Sequence, residues 1–145
     1  MTRDEVIKFL RENKIVVEAS LHRDGSPQAA AVGIAVTDDL HLVFDTVTTS
    51  RKHANLLRDP RCAFVAWHGG VTIQIEGQAE LLYPTRPTDE LAEQLAAAKA
   101  AYFSAFPDGP ERESWPDIAY WRVRPTWIRA SDYGTSPAAI TVVDL

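Results

Sequence analysis

The sequence predicts a mainly β protein: an antiparallel barrel or sheet with helices packed outside it. Apolar and polar residues alternate over several short segments, as they do along half-buried strands. Turn residues, among them Asp24-Gly25 and Gly69-Gly70, separate consecutive segments in the manner of hairpins. Three further segments have helical spacing, and each begins at a Ser or Thr that can cap a helix. Consecutive hairpins with a few helices are typical of an α+β fold built on one antiparallel sheet.

The first third of the chain is predicted to form a helix followed by three strands. Thr2 and Glu5 have the spacing of a capping box at the start of this helix. Apolar Val17 and Ala19 alternate with Glu18 in the first strand. The strands are predicted over residues 15–21, 28–36 and 41–45.

The rest of the chain is predicted to add two helices and further strands. Ser50 can cap a short helix that ends before Asp59-Pro60, and Thr88 can cap a longer helix that ends near Phe106. Gly77 indicates a bulge, and residues 84–87 interrupt the sheet pattern. The strands are predicted over residues 62–67, 71–82, 119–123 and 127–131, the last two on either side of Pro125.

Composition limits the classes of function. The 145 residues have the size of one domain, predicted over residues 1–145, and a net charge of −5 disfavours a nucleic-acid partner. The single cysteine, Cys62, excludes an internal disulfide and favours a cytoplasmic protein. No apolar run reaches the ~20 residues of a membrane span, and the N-terminus does not resemble a signal peptide. The four histidines lack metal-ligand spacing, so no metal site is predicted.

Residues 44–55 combine hydroxyl and basic side chains where a strand is followed by a helix. Helix N-termini present unpaired N–H groups and a partial positive charge, which favour bound anions. Arg51 can form two parallel hydrogen bonds to phosphate oxygens, and Lys52 adds a second positive charge. We interpret the segment as a site for a terminal phosphate. The alternative, a solvated basic helix face, is disfavoured because basic residues in a first helical turn oppose the helix dipole.

The same segment carries a family resemblance. Ser50-Arg51-Lys52, in its strand–loop–helix setting, is followed by Asn55-Leu56, and the pattern continues in residues 74–81 and 121–128. In these elements the chain resembles the pyridoxamine 5′-phosphate oxidase-like family, the flavin-binding split β-barrel proteins. The resemblance extends over about residues 5–132. It implies a split antiparallel β-barrel with peripheral helices, and a homodimer with two FMN sites at its interface.

The resemblance also implies which residues contact FMN. Arg51 and Lys52, beside Ser50, would bind the FMN phosphate. Asp45 and Thr46 would line the phosphate and ribityl region. The backbone of the second strand would pass beside the flavin ring, at Ala30, Ala31, Val32 and Gly33.

The chain departs from the family pattern at several positions. Thr72 stands where related oxidases have a glutamine that faces the flavin, and it is included among the predicted FMN-binding residues. Ala30 and Ala35 stand where pyridoxamine phosphate oxidases have basic residues, and Phe106 stands where an arginine is expected. Residues 138–145 contain no Arg or His, unlike the C-terminal substrate motif of the family. Because a phosphorylated substrate needs such partners, vitamin B6 phosphate is not the predicted substrate.

We therefore predict an FMN-dependent oxidoreductase that acts on an unidentified small organic substrate. The alternatives are a reductase that uses the deazaflavin coenzyme, and a non-catalytic flavin- or haem-binding protein. No residue is identified as a general acid or base. His53 is interpreted as a surface histidine rather than a proton donor, and Cys62 as a buried apolar residue. Some of the four tryptophans are predicted to lie in the dimer interface.

Overall fold

The elements of the fold are given by a computed structural model that describes residues 1–82 and 88–145. Within these ranges the chain forms four helices: α1 (Arg3–Glu12), α2 (Arg51–Arg58), α3 (Asp89–Ala105) and α4 (Gly109–Arg112). The strands are β1 (Ile15–Leu21), β2 (Pro27–Gly33), β3 (Ala35–Val36), β4 (Leu42–Val47), β5 (Arg61–His68), β6 (Val71–Leu81), β7 (Ile118–Asp132) and β8 (Ala139–Val142). The interruption predicted at residues 84–87 lies outside the described residues.

The strands form a single antiparallel sheet that curls into a half-barrel. Their order is β2-β1-β5-β6-β7-β4-β3, and β8 pairs with β7. Strand β7 is long enough to pair with β4 along its first half and with β8 along its second. The sheet curls until the edge strand β2 contacts β4, and its enclosed side holds the apolar core. This architecture confirms the predicted mainly β fold, an antiparallel sheet with a few helices.

The three predicted helix caps are confirmed. The Thr2 and Glu5 side chains each accept a hydrogen bond from the other residue's backbone amide, which completes the capping box of α1. Ser50 caps α2, and Thr88 caps α3. Helix α1 packs against β3, α2 against β1, and α3 against β3, β4 and β7. None of the helices in the described part of the chain is long and apolar enough to cross a membrane.

Strand β1 turns its more polar side toward the enclosed core. Val16, Glu18 and Ser20 are buried, whereas Ile15 is 61% exposed and Val17 is half-buried on the outer side. The apolar set of this strand therefore lines an outer surface, and a glutamate faces the interior.

Three differences from the predicted strands exceed a shift of one or two residues at an end. The strand predicted over residues 28–36 is interrupted at Ile34, whose amide donates to the Lys14 carbonyl, so that β2 and β3 are separate. The two segments predicted around Pro125 form one continuous strand, because the predicted bulge at Gly77 shifts the register opposite the proline. Strand β8 is not predicted by the sequence because all its side chains are exposed and leave no pattern of burial.

The close packing around Gly77 predicts that a larger side chain at this position destabilises the fold. A Cβ at this position would lie 2.7 Å from Cγ1 of Val123 and 2.8 Å from the carbonyl oxygen of Arg124. We expect Gly77→Ala to lower the free energy of unfolding by about 1–3 kcal/mol, the cost of overpacking a core. Urea unfolding measures the loss, and the half-buried neighbour Gln78, changed to Ala, is the control. Equal midpoints for Gly77→Ala and the wild type would contradict this close packing.

Candidate functional site

The predicted phosphate site lies where the end of β4 meets the start of α2, and we call Thr46, Ser50, Arg51 and Lys52 the cradle. The Ser50 hydroxyl accepts a hydrogen bond from the His53 amide at 3.2 Å and lies 2.9 Å from the Thr46 hydroxyl. Arg51 is exposed and Lys52 is half-buried. In ranges 1–82 and 88–145, neither forms an ion pair, and the first turn of α2 contains no acidic residue. The cradle therefore offers two cations and two hydroxyls to an anion.

Asp45 lies on the opposite side of β4 from Thr46, because successive strand residues alternate in direction. Its carboxylate accepts hydrogen bonds from the Tyr102 hydroxyl and from Nε of Arg112, both at 2.9 Å. Arg112 also pairs with Asp108 at 2.7 Å. Burial, together with the negative charge of Asp45, raises the pKa of Tyr102. The Asp45 carboxylate thus fastens α3 and α4 to the sheet, and within this chain it does not share a site with Thr46.

The residues predicted to lie beside the flavin ring point in different directions. Ala30 and Val32 are on the enclosed side of β2, but Ala30 is exposed because β2 is an edge strand, whereas Val32 is buried. Ala31 points to the outer side. Gly33 packs against the ring of Phe106, which a Cβ would approach to 2.6 Å. Of these four residues, Ala30 is therefore the one that presents an accessible side chain on the enclosed side of β2.

Thr72 is separated from the cradle within the chain. It lies on the outer side of β6, between buried Ile73 and the hairpin that joins β5 to β6, and pairs with Trp67. The predicted site residues therefore fall on two sides of the sheet: the cradle and Ala30 on the enclosed side, and Ala31 and Thr72 on the outer side.

His53 is buried, and its interpretation as a surface histidine is wrong. Its side chain is 6% exposed, and the Trp121 indole donates to its Nδ1 at 3.1 Å. The helix turns this histidine toward β7, with the two rings in an edge-to-face arrangement. Because Nδ1 accepts this bond, the neutral imidazole carries its proton on Nε2. Burial lowers the pKa of His53, which favours the neutral form.

Asn55 is a positioning residue, which the sequence indicates only as part of a family pattern. Its side-chain amide donates to the Ser20 hydroxyl at 3.1 Å and to Oε1 of Gln28 at 2.8 Å. These bonds tie α2 to both β1 and β2. The sequence does contain a signal for this contact, because polar residues occupy inward positions of the first two strands and an amide lies on the helix.

Comparison with known proteins identifies the family. The family model described as "Pyridoxamine 5′-phosphate oxidase" matches residues 2–132, and the chain belongs to this family. A curated relative, the pyridoxine/pyridoxamine 5′-phosphate oxidase of Thermosynechococcus vestitus, is 31% identical over 115 residues. The match covers 77% of this chain and 48% of the relative. The chain thus spans about half the length of the curated relatives it matches.

Solved structures share the fold. A pyridoxamine 5′-phosphate oxidase-related, FMN-binding protein from Nostoc punctiforme has a TM-score of 0.74 at 15% identity, with 97% of this chain and 89% of that chain covered. A haem-binding protein from Mycobacterium smegmatis has a TM-score of 0.71 at 23% identity, with 93% and 55% covered. These likenesses confirm the predicted split-barrel fold. They include proteins described as binding different cofactors.

Burial of His53 predicts a pH dependence of stability. Because the folded-state pKa of His53 lies below the ordinary value of 6.5, the unfolded chain binds more protons below that pH. We expect the free energy of unfolding to fall as pH is lowered through this range, and to fall less in His53→Gln. Urea unfolding at a series of pH values tests this, with His68→Gln, at an exposed histidine, as the control. Equal losses in the wild type and His53→Gln would contradict it.

Proposed function

We propose that the protein is an FMN-dependent oxidoreductase that acts on a small organic substrate other than vitamin B6 phosphate. The observation that carries the proposal is the cradle, whose Arg51 and Lys52 have no ion-pair partner within the described ranges. A single phosphate site suits a mononucleotide, and the chain has no G-x-G-x-x-G loop of the kind that binds a pyrophosphate. Membership of the family supports a flavin.

The surroundings of the cradle fit a flat cofactor. Ala30 provides a small accessible side chain on the enclosed side of the edge strand β2, which favours the approach of a flat ring system. When bound, FMN would supply hydride or electron transfer. In this proposal the chain itself holds the phosphate at Arg51 and Lys52, and its hydroxyls at Thr46 and Ser50 orient the phosphate oxygens.

The cradle assignment predicts the effect of removing its cations. We expect Arg51→Ala to weaken FMN binding by about 1.5–3 kcal/mol, the scale of a hydrogen bond to a charged group. Titration of cofactor-free protein with FMN, followed by flavin fluorescence, measures the change. Arg58→Ala, at the opposite end of the same helix, is the matched control and should bind as the wild type does. Equal affinity in the wild type and the Arg51→Ala, Lys52→Ala double variant would overturn the assignment.

We infer that a second copy of the chain covers the outer side of the sheet. This surface, which we call the outer face, is mainly apolar on β1, β2, β5 and β7 and polar along β6. Its residues are Ile15, Val17, Ala19, Ala31, Ala63, Val65, Trp67 and Trp127, with Thr72, Gln74, Glu76 and Gln78. Trp67 is 55% exposed on it, and cavities of about 310 and 250 Å³ open there beside Ala19 and Ala63. A face of this kind is typical of an obligate interface. Thr72 also lies on it, so a shared site accounts for its distance from the cradle.

The dimer proposal predicts the effect of a charge in the outer face. We expect the wild type to sediment as a dimer at micromolar concentration, and Val65→Glu to sediment as a monomer that has lost most of its affinity for FMN. Lys8→Glu, an exposed substitution on α1, is the control for the added negative charge. A wild-type monomer that binds FMN would contradict both the interface and the shared site.

The proposal also predicts poor oxidation of pyridoxamine 5′-phosphate. Ala35 is 3% exposed and Phe106 packs on Gly33, so neither position presents a cation to a substrate phosphate. Loss of two charged hydrogen bonds costs about 3–6 kcal/mol, or roughly two to four decades in transition-state binding. Pyridoxal phosphate formation by FMN-saturated protein under air measures this, with the Thermosynechococcus vestitus oxidase as positive control. Comparable turnover by the two proteins would show that another basic group binds the substrate.

Cofactor extraction separates the proposal from its alternatives. A haem iron needs an accessible protein ligand. His53 does not provide one, because it is buried and its Nδ1 accepts a hydrogen bond from Trp121. His68 is exposed and is therefore accessible to such a group. Mass spectrometry of the cofactor released from protein purified from its native host identifies the group. FMN is the expected result, and haem or a deazaflavin would overturn the proposal.

A further inference from the structure

A buried carboxyl lies on the strand against which the helix of the cradle packs, and it has no part in the function proposed above. Glu18 is 1% exposed on the enclosed side of β1, the strand against which α2 packs. Its Oε1 has no hydrogen-bond partner in the described ranges. Buried polar atoms without partners are rare because they forgo the hydrogen bonds that water would supply.

The groups around Glu18 are few and can be named element by element. From α2, Lys52 lies one turn before Asn55, whose amide donates to Ser20 at 3.1 Å, so Lys52 is on the side of the helix that faces β1. In the described ranges Lys52 and Glu18 do not form an ion pair. From β5, the Cys62 thiol is the neighbouring titratable group, and β2 contributes Ala30, which is not titratable. Within β1, the Ser20 hydroxyl lies two positions along on the same side. Lys52 is therefore both a proposed phosphate-binding residue and the cation that lowers the pKa of Glu18.

We propose that Glu18 is a further residue of the cradle, one that takes up a proton from solvent when a phosphate group binds at Arg51 and Lys52. This inference rests on the proposed function for the identity of the phosphate as that of FMN. The bond formed is an O–H bond on the Glu18 carboxylate, and the proton returns to solvent when the phosphate dissociates.

The coupling follows from the charges that act on Glu18. Burial raises the pKa of this carboxyl, while the Ser20 hydroxyl and the Lys52 ammonium lower it in part. A phosphate that binds Lys52 offsets this stabilising cation and adds negative charge beside the carboxylate, so it favours the protonated form. Cys62 is not the proton acceptor, because burial raises its pKa to about 12 and its thiol is already protonated at neutral pH.

The sign of the resulting pH dependence is defined. Between the pKa of Glu18 in the empty site and its higher pKa in the filled site, affinity for FMN falls as pH rises. The slope is at most about tenfold per pH unit, which corresponds to one proton taken up. Outside that interval Glu18 contributes no pH dependence.

Isothermal titration calorimetry of the cofactor-free full chain with FMN counts the protons. At each pH, the difference between two buffers of unlike ionisation heat gives the number of protons taken up per FMN. We expect the wild type to take up as much as one proton more than Glu18→Gln, and the control Glu12→Gln, at an exposed carboxyl, to match the wild type. The FMN phosphate, which itself titrates near pH 6, contributes equally to all three. Riboflavin, which lacks the phosphate, should show no difference between the wild type and Glu18→Gln.

The outcomes distinguish this proposal from the one on which it rests. If FMN does not bind the wild type, both are overturned. If FMN binds with an affinity that depends on Arg51, but the wild type and Glu18→Gln take up equal numbers of protons, the Glu18 proposal alone is overturned. Should Glu18→Gln not fold, NMR titration of the Glu18 carboxyl carbon in the wild type decides: its midpoint is expected to rise when FMN is bound, and an unchanged midpoint overturns the proposal.

Discussion

Helix α2 has eight residues, too few to be stable in isolation, so its contacts with the sheet decide where its basic N-terminus points. Three buried side chains supply those contacts: Leu56 in the apolar core, Asn55 on Ser20 and Gln28, and His53 on Trp121. Two of these side chains, Asn55 and His53, form three directional hydrogen bonds to strands on different parts of the sheet. The bonds fix the rotation of the helix about its axis, which an apolar contact alone would leave loosely defined.

The end of β4 serves two elements at once because neighbouring strand residues point to opposite sides. Thr46 bonds Ser50 at the helix start, while Asp45 binds Tyr102 and Arg112 and holds α3 and α4 on the other side. The cradle is thereby placed on a strand that is anchored from behind. A substitution at Asp45 would act on the cradle through the packing of the sheet rather than through contact with a bound anion.

Local signals carried most of the prediction. The caps at Thr2, Ser50 and Thr88 and the bulge at Gly77 depend on residues a few positions apart, and each is present where the sequence places it. Two other features depend on partners elsewhere in the chain: the apolar side of β1 faces outward, and His53 is buried. The partners of Asp45 lie 57 and 67 positions away, which no local pattern indicates. Resemblance named the cradle residues, but it did not indicate that Ala31 and Thr72 lie on the outer face.

The polar residues of the interior are concentrated under α2, and this distribution has an energetic consequence. Among the buried polar side chains in the described ranges, Ser20, His53 and Asn55 have hydrogen-bond partners that offset their loss of water, and Oε1 of Glu18 does not. A raised pKa means that Glu18 contributes stability below its ordinary pKa of 4.5, and that this contribution is lost as pH rises through its folded-state pKa. A glutamine there would avoid that loss. A carboxyl at this position therefore has a stability cost near neutral pH, and the proton uptake that we propose for phosphate binding is one that an amide could not provide.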